Sequence, residues 1–466
     1  MTIYIATIGD PTNWFASDYI IKGENGETKI EEAFSTLFTY EKANKIILIV
    51  NDSVIYARGT RQNPALNCYN SIVSLKYTRY SDIMSTVEDY IKCVMSKFKE
   101  DLEKHGYKTE DISQKLKIIV IPAIGTFRKA NMVTKFGKIV AKGNEVPPAR
   151  YYPNLVETLL AYSLYGELKG AKEEEVVLDI THGINYLPTL AFNTIYKLVS
   201  LLGLKLTVMN FVPIDSRYEN NNEIRIYLRV DVVSTVNKGF TFDIDQIDED
   251  NKITDNLNKS IIKALKYNAP LALVYLCKLR KQGINNYYSQ FEDATGISQI
   301  SDKENEIIID KEKIKWIEKV DEVWGDIIAD FVCGKVNDLA SKYSCGQGYY
   351  NIEILEELAK VVFSRFSSIS ENIIQNESNN IYTIVKEGIK DEGEKMYYEL
   401  LKFETTPSDP DRIKRNYIAH AGLLKEILKV KKTEAGKICI KYADSFKYIL
   451  SAVYGEDVTK SMYDEL

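Results

Sequence analysis

The residues best suited to chemistry lie together near the C-terminal end of the chain, in the stretch 408–422, SDPDRIKRNYIAHAG. On a helix, Asn416 and His420 share one face because they are four positions apart, and Arg415 flanks that face. Arginine supplies a permanent charge and a forked donor for phosphate, and histidine transfers protons near neutral pH. With an orienting asparagine, these are the groups that RNA cleavage by its own 2′-hydroxyl requires without a metal.

The other two histidines differ in their surroundings. His182 lies in VVLDITHGINYLP, where an apolar run ends, the chain turns and a helical pattern begins. Two interpretations stay open: Gly183 and the helix start receive a phosphate or ribose hydroxyl, or Thr181 and Asn185 merely cap the turn. His105 closes a charged helical stretch before a glycine, which is typical of a helix C-terminus.

The elements that must position these residues differ between the two halves of the chain. In the N-terminal half, short runs rich in Ile and Val alternate with helical patterns, which predicts a doubly wound, Rossmann-like parallel sheet. The predicted strands are Ile3–Ile8, Lys45–Val50, Lys115–Ile121, Glu175–Ile180 and Lys205–Met209. The clearest predicted helices are Thr86–Lys104, Asn154–Tyr165 and Leu187–Leu202. We expect a loop over Asp215–Glu223 and a further strand over Glu223–Val233.

Ligands of such sheets bind beyond the carboxyl ends of the strands. The loops expected to bind a ligand are therefore Gly9–Trp14, Asn51–Val54, Pro122–Arg128 and Thr181–Asn185. After about Asn256 the apolar period becomes that of helices, which predicts a mostly helical second part. Helices are predicted over Lys311–Val332, Ile352–Phe366, Ile381–Leu401, from Ser408 towards Leu428, and over Tyr442–Val453.

This change of pattern predicts the domain organisation. We expect an α/β domain over residues 1–240, a linking region with helices over 241–300, and an all-α domain over 301–466. No run approaches the roughly 20 apolar residues that span a bilayer, and the start MTIYIATIGD predicts a strand rather than a signal peptide. The six cysteines form no CxxC pair, so we expect neither disulfides nor a zinc site, and a cytoplasmic protein.

Charge gives two opposing indications about nucleic acid. The net charge of −6 speaks against tight nonspecific binding to long nucleic acid. Around the 408–422 stretch, however, basic residues outnumber acidic ones: Arg412, Lys414, Arg415, Lys425, Lys429, Lys431 and Lys432. This strip could hold an RNA backbone, or its lysines could complement a helix dipole and form a solvated face. We favour the solvated face for Lys425–Lys432 and a functional role for Arg415.

Two motifs carry a resemblance to known families. The apolar run followed by Asp179-Ile180-Thr181-His182-Gly183-Ile184-Asn185 resembles the CARF domain, the CRISPR-associated Rossmann fold. The stretch Arg415–His420, RNYIAH, resembles the motif of HEPN ribonucleases. In this order, and over nearly the whole chain, they resemble the CARF–HEPN effector ribonucleases of type III CRISPR antiviral defence.

The resemblance implies a metal-independent endoribonuclease that degrades single-stranded RNA, leaving a 2′,3′-cyclic phosphate. It implies that the protein uses no cofactor or metal. It also implies activation by a cyclic oligoadenylate, with cyclic tetra-adenylate as the first candidate. The implied catalytic residues are Arg415, Asn416 and His420. The implied ligand-binding residues are Gly9, Asp10, Trp14, Asn51, Ser53, Thr126, Arg128, Thr181, His182, Gly183 and Asn185, those at 51–53 and 126–128 by position alone.

Residue counting adds an expectation about assembly. The reaction needs both an acid and a base, whereas each chain brings one candidate histidine to the site. A two-fold arrangement of two chains supplies both, so we expect a homodimer or a higher multiple of dimers.

Two other classes of protein remain as alternatives. A CARF-type sensor could drive a DNA-binding helical region and act as a transcriptional regulator, in which case Arg415 and His420 would be dispensable. A nucleotide-dependent enzyme could work at the Rossmann loops. A dinucleotide oxidoreductase is disfavoured because the first strand is followed by Gly9-Asp10-Pro11 rather than by GxGxxG.

Overall fold

The chain forms two compact units. The computed structural model describes residues 2–23, 26–37, 40, 43–56, 63–72, 77–108, 112–129, 132–171, 175–182, 186–219, 223–236, 241–248, 253–402, 410–444 and 447–464. The first unit comprises Met1–Val199, Gly203–Lys238 and Asn286–Val320, and the second comprises Ser200–Leu202, Gly239–Asn285 and Asp321–Leu466. Residues 286–320, which we expected in the linking region and the helical domain, thus belong to the first unit.

The helices and strands follow one another in a mixed order. The elements up to residue 236 are β1 (Thr2–Ile8), β2 (Ser17–Gly23), β3 (Gly26–Ala33), β4 (Lys45–Asn51), α1 (Pro64–Ile72), α2 (Tyr80–Lys104), β5 (Leu116–Ile121), β6 (Gly125–Lys129), β7 (Met132–Ala141), β8 (Asn144–Val146), α3 (Pro148–Leu168), β9 (Glu175–Asp179), α4 (Leu187–Leu202), β10 (Lys205–Glu219) and β11 (Glu223–Val236). The later elements are α5 (Asn256–Lys266), α6 (Pro270–Leu279), α7 (Tyr287–Ala294), β12 (Thr295–Ser301), β13 (Glu304–Asp310), α8 (Val320–Lys342), β14 (Ser344–Gly346), β15 (Tyr349–Asn351), α9 (Glu353–Val361), α10 (Ser368–Gly388), β16 (Gly393–Met396), α11 (Tyr397–Leu400), α12 (Pro410–Ala419), β17 (Leu428–Lys432), β18 (Ile438–Tyr442), α13 (Lys447–Tyr454) and α14 (Glu456–Asp464).

The main sheet of the first unit has the order β3-β2-β11-β10-β9-β1-β4-β5. Its five strands from β10 to β5 are parallel, which confirms the predicted Rossmann-like sheet. Strands β1 and β4 are almost fully buried, as apolar runs of a parallel sheet must be when both faces are covered. Because the strands are parallel, the segments that follow β1, β4 and β9 all leave from one edge.

Of the remaining strands of the first unit, the one expected over Glu223–Val233 is confirmed as β11, and the others were not predicted. The expected loop at Asp215–Glu223 is wrong for its ends, since β10 continues to Glu219 and β11 begins at Glu223, and the two strands pair as a long antiparallel hairpin. Residues 220–222 lie outside the described residues. Hairpin pairing uses backbone groups, so polar composition does not prevent it. A second sheet, with the order β12-β13-β7-β6 and with β8 paired to β7, also lies in this unit.

The second unit is mostly helical, as predicted, and also contains a sheet with the order β14-β15-β18-β17-β16. The helix expected to run towards Leu428 ends at Ala419, and β17 begins at Leu428. The break occurs where Ala421 and Gly422 adopt positive φ values of 51° and 73°. The expected N-cap residues, at 408 and 409, lie outside the described residues.

Four further predicted helices have wrong bounds. The helix expected over Ile352–Phe366 ends at Val361, and a 3-10 turn follows it at Phe363–Arg365. Short 3-10 turns occupy much of 311–318 and α8 starts only at Val320. Helix α10 ends at Gly388 and is followed by β16, so the helix expected to reach Leu401 is interrupted. The last predicted helix starts at Lys447 because the residues before it form β18. In each case strand pairing or tertiary packing outweighs the helix that the local spacing of apolar residues predicts.

The expectation of unpaired cysteines is also wrong. All six form disulfides: Cys68–Cys93, Cys277–Cys333 and Cys345–Cys439. The partners lie 25, 56 and 94 positions apart in the sequence, yet their Cα atoms are 5.9, 4.9 and 6.5 Å apart. A search for CxxC spacing detects only local pairs and therefore misses cysteines that the fold brings together.

Candidate functional site

Helix α12 displays the candidate catalytic residues on its surface. Arg415 and Asn416 are exposed, whereas Tyr417 between them and His420 is completely buried. His420 follows the last residue of α12, and its N–H donates to the carbonyl of Asn416 at 3.0 Å, so it continues the helical path. Its side chain is 53% exposed. The three polar groups are therefore presented outwards from one anchored helix end.

Tyr417 anchors this helix from below. Its hydroxyl lies 3.2 Å from that of Tyr442 and 3.1 Å from that of Tyr454. The Tyr442 hydroxyl in turn donates to the carbonyl of Gly422 at 3.1 Å. Burial raises the pKa of all three phenols, so they remain neutral donors and acceptors. This buried network holds both α12 and the turn that follows His420.

Gly422 completes that turn. At its φ of +73° a residue with a side chain is strained. An added Cβ would also lie 2.8 Å from Cβ of Ala269 and 3.0 Å from the hydroxyl of Tyr417. The close approach of backbone and core explains why the residue here is glycine.

Glu377 is a neighbour of His420 that sequence reasoning missed. Its Oε1 atom lies 3.3 Å from Nδ1 of His420, and it stands on α10, 43 positions earlier in the chain. No spacing rule links positions so far apart, so the sequence holds no local signal for this contact.

The basic strip is divided between two elements. No described ion pair involves Arg412, Lys414 or Arg415, which are exposed on α12. Lys429 instead pairs with Glu394, and Lys432 donates to the carbonyl of Ile389 at 2.8 Å. The idea that the later lysines complement a helix dipole is wrong for residues 429–432, because they lie on β17.

In the first unit, His182 lies at the carboxyl edge of the main sheet. Its ring stacks on Trp14, with centroids 4.1 Å apart, and Trp14 stacks on Phe98 at 5.2 Å. Thr7 at the end of β1 donates to the His182 carbonyl. Burial lowers the pKa of His182 to about 4, so the ring is neutral at pH 7. Its Nε2 atom is buried and has no hydrogen-bond partner among the described residues.

The end of β4 carries two further buried polar atoms without partners. These are Oδ1 of Asn51 and Oγ of Ser53, again within the described part of the chain. Nδ2 of Asn51 donates to the hydroxyl of Tyr186 at 2.9 Å, which joins the β4 edge to the segment after β9. Asp52 accepts from the Tyr80 hydroxyl and from the amide of Ala123, both at 2.7 Å. Buried polar atoms normally have hydrogen-bond partners, so these atoms can accept or donate to a polar group that enters here.

Two of the predicted ligand residues are used by the fold itself. The Asp10 carboxylate accepts from the amide and hydroxyl of Thr12 at 2.9 and 2.6 Å and so forms the turn after β1, beside Gly9. Burial raises the pKa of Asp10. The amide of Thr181 donates to Asp179 at 2.8 Å, and its hydroxyl accepts from the amide of Phe211 at 2.9 Å. These contacts fit the capped-turn interpretation for Thr181.

For Thr126 and Arg128, no described side-chain hydrogen bond or ion pair joins them to this edge. Thr126 and Arg128 are exposed on β6 and pair with Lys135 and Val133 of β7 in the second sheet. Gly183 and Asn185 lie outside the described residues. Tyr186 and Tyr80 are site neighbours that the sequence did not indicate, whereas Asp52 lies within the predicted loop Asn51–Val54.

Two general features are absent from the part of the chain that the structure describes. Across the described residues, no three His, Cys, Asp or Glu side chains converge in a way that could hold a metal ion. Within the same part of the chain, no helix combines the length and apolar character needed to cross a membrane.

Comparisons with known proteins identify what the two units resemble. A family model described as the CARF domain of CRISPR system endoribonuclease Csx1 matches residues 3–228. A second, described as the HEPN domain of CRISPR system endoribonuclease Csx1, matches residues 367–444, which contain Glu377 and His420. A curated relative, CRISPR system endoribonuclease Csx1 from Methanocaldococcus jannaschii, is 23% identical over 483 residues, covering 96% of this chain and 90% of the relative. The resemblance stated from the two motifs is thereby confirmed.

Proposed function

We propose that this chain, which belongs to the CARF–HEPN effector proteins of CRISPR systems, is an endoribonuclease and that a cyclic oligoadenylate activates it. Its substrate is single-stranded RNA, and its setting is type III CRISPR antiviral defence. The observation that carries the nuclease half is the display of Arg415, Asn416 and His420 at the end of α12, above a buried tyrosine network.

The proposed reaction uses these three side chains and no metal. The 2′-oxygen of the RNA attacks the adjacent phosphorus, and the bond from phosphorus to the 5′-oxygen breaks. Arg415 stabilises the extra negative charge of the phosphorane, an electrostatic role that suits an exposed guanidinium with no ion-pair partner among the described residues. Asn416 orients the reacting groups, and His420 transfers protons. The products are a 2′,3′-cyclic phosphate and a 5′-hydroxyl.

A homodimer supplies the second histidine of this mechanism. One imidazole accepts the proton of the 2′-hydroxyl while the other, protonated, donates to the departing 5′-oxygen. Two copies of the 415–420 segment related by a two-fold axis meet both requirements.

The activator is proposed to bind at the carboxyl edge of the main sheet. Support comes from the three unpaired buried polar atoms on Asn51, Ser53 and His182, and from the aromatic surface of Trp14. Ribose hydroxyls and base nitrogens can satisfy such atoms, and an adenine ring can stack on an indole. Cyclic tetra-adenylate is the first candidate.

An RNA-cleavage assay in EDTA, with cyclic oligoadenylates of different ring sizes, tests both halves of the proposal. We expect activity with one ring size and a loss of about 10²–10⁴-fold in kcat for His420→Ala. His105→Ala is the matched control, because His105 only caps the C-terminus of α2. Activity that persists in His420→Ala, or that EDTA abolishes, would refute the proposed mechanism.

A further inference from the structure

The contact between Glu377 and His420 has a geometry that can control the histidine. Oε1 of the carboxylate lies 3.3 Å from Nδ1 of the imidazole. The Glu377 side chain is 22% exposed and that of His420 is 53% exposed, so the carboxylate is the more enclosed partner. No described hydrogen bond engages Nε2 of His420, which leaves that nitrogen free to meet a substrate.

Packing holds Glu377 in this place. Helix α10 buries Ile374, Ser378 and Ile381 against the rest of its unit, which fixes the turn of helix that carries Glu377. No lysine or arginine pairs with this carboxylate among the described residues, and His420 is its one described ionic partner. The nearby negative charge contributes, after burial, to raising the pKa of Tyr397 to about 12.

We propose that Glu377 is a positioning residue that holds His420 in the tautomer with hydrogen on Nδ1 and turns its Nε2 lone pair towards RNA. The inference rests on the proposed nuclease function and deepens it. A carboxylate accepts a hydrogen bond and cannot donate one when ionised, so the nitrogen facing it must carry the hydrogen. The opposite nitrogen of the neutral ring is then the basic one.

The proton balance of the reaction follows from this arrangement. Nε2 of one His420 takes the proton of the 2′-hydroxyl and becomes part of an imidazolium whose Nδ1–H faces Glu377. Nε2 of the protonated second copy gives its proton to the 5′-oxygen and becomes neutral. Exchange with water restores both rings, and Glu377 neither takes nor gives a proton, as with the orienting carboxylate of a catalytic triad.

Stability is not what this contact provides. An ion pair with partners this exposed contributes little to folding, since solvent screens it. A positioning role therefore predicts a change in the chemical step without a change in unfolding.

Nitrogen-15 NMR of histidine-labelled full-length protein tests the orientation directly. The chain has three histidines, and the signal of His420 is identified by its loss in His420→Ala. At a pH where the ring is neutral, we expect the Nδ1–H form in the wild type and a shift towards the Nε2–H form in Glu377→Ala. Glu377→Gln keeps an acceptor oxygen and should retain Nδ1–H. The matched control is Glu387→Gln, a charge removal on the exposed face of the same helix.

Steady-state RNA cleavage provides the second reading. We expect kcat to fall about tenfold or more in Glu377→Ala, and less in Glu377→Gln, with KM nearly unchanged and no change in Glu387→Gln. The same tautomer in the wild type and Glu377→Ala, or an unchanged kcat, would overturn the inference. A tautomer shift in a chain that cleaves no RNA would instead support the orientation by Glu377 and overturn the proposed nuclease function.

Discussion

Replacing Gly422 by alanine should destabilise the second unit for two separable reasons. The first is the backbone: a non-glycine residue at φ +73° costs about 1–2 kcal/mol. The second is packing, because the new Cβ would stand 2.8 Å from Cβ of Ala269 and 3.0 Å from the Tyr417 hydroxyl. Tyr417 cannot move aside without breaking its contacts with Tyr442 and Tyr454. Overpacking of this kind costs about 1–3 kcal/mol, so the total is about 2–5 kcal/mol.

Gly436→Ala is the matched control for this substitution. Gly436 has nearly the same φ, +76°, but an added Cβ would meet nothing within 4 Å. It should therefore incur the backbone cost alone. Urea unfolding followed by circular dichroism, together with hydrogen exchange of peptides that span 410–428, measures both variants against the wild type. If Gly422→Ala is no less stable than Gly436→Ala, the packing argument is wrong.

Three further outcomes follow from buried groups. Burial raises the pKa of Asp52 from 3.8 to about 7. Between these two pKa values the folded chain therefore keeps a proton on Asp52 that the unfolded chain has lost. The stabilisation by the protonated carboxyl is complete below about pH 4 and is lost as the pH rises to about 7. Over this range the free energy of unfolding of the wild type should fall, relative to that of Asp52→Asn, by up to about 1.4 kcal/mol per pH unit. Arg280→Met leaves the buried Asp326 carboxylate without its 2.6 Å partner and should cost about 3–5 kcal/mol in urea unfolding. Arg280→Met with Asp326→Asn should restore much of this, because the amide removes the charge and keeps an acceptor for the N–H of Asn285. Replacing the Cys345–Cys439 disulfide, whose cysteines are 94 positions apart, by two serines should lower the free energy of unfolding by about 4–5 kcal/mol.

Each of these outcomes has its own control. For the pH dependence it is Asp89→Asn, an exposed carboxyl on α2, and equal slopes for the wild type and Asp52→Asn would contradict the assignment. For the ion pair, a double variant no more stable than Arg280→Met would show that the loss does not come from the stranded charge. For the disulfide, the Cys68–Cys93 pair closes a shorter loop, with a separation of 25, and should cost less, about 3–4 kcal/mol.

Local patterns in the sequence were sufficient for the main sheet and for the motif on α12. The five parallel strands are short apolar runs that form strands wherever both faces are covered, so their bounds can be recognised within about a residue, except for the end of β10, which continues to Glu219. The five-residue separation of Arg415 and His420 lies within about one and a half helical turns, so their proximity is a property of the helix itself. The alternating Leu428-Lys429-Val430-Lys431 was also a local signal for a strand, although we assigned the start of that segment to a helix.

The sequence by itself therefore determined that strands and helices of these types form, and that a guanidinium and an imidazole share the end of one helix. Only the tertiary structure decided which residues far apart in the sequence contact one another. Glu377 lies 43 positions before His420, and Tyr186 lies 135 positions after Asn51. The physical reason is that the spacing of side chains along a helix or strand depends only on near neighbours in the chain. These contacts depend instead on how whole helices and strands pack together, and no local sequence pattern encodes that packing.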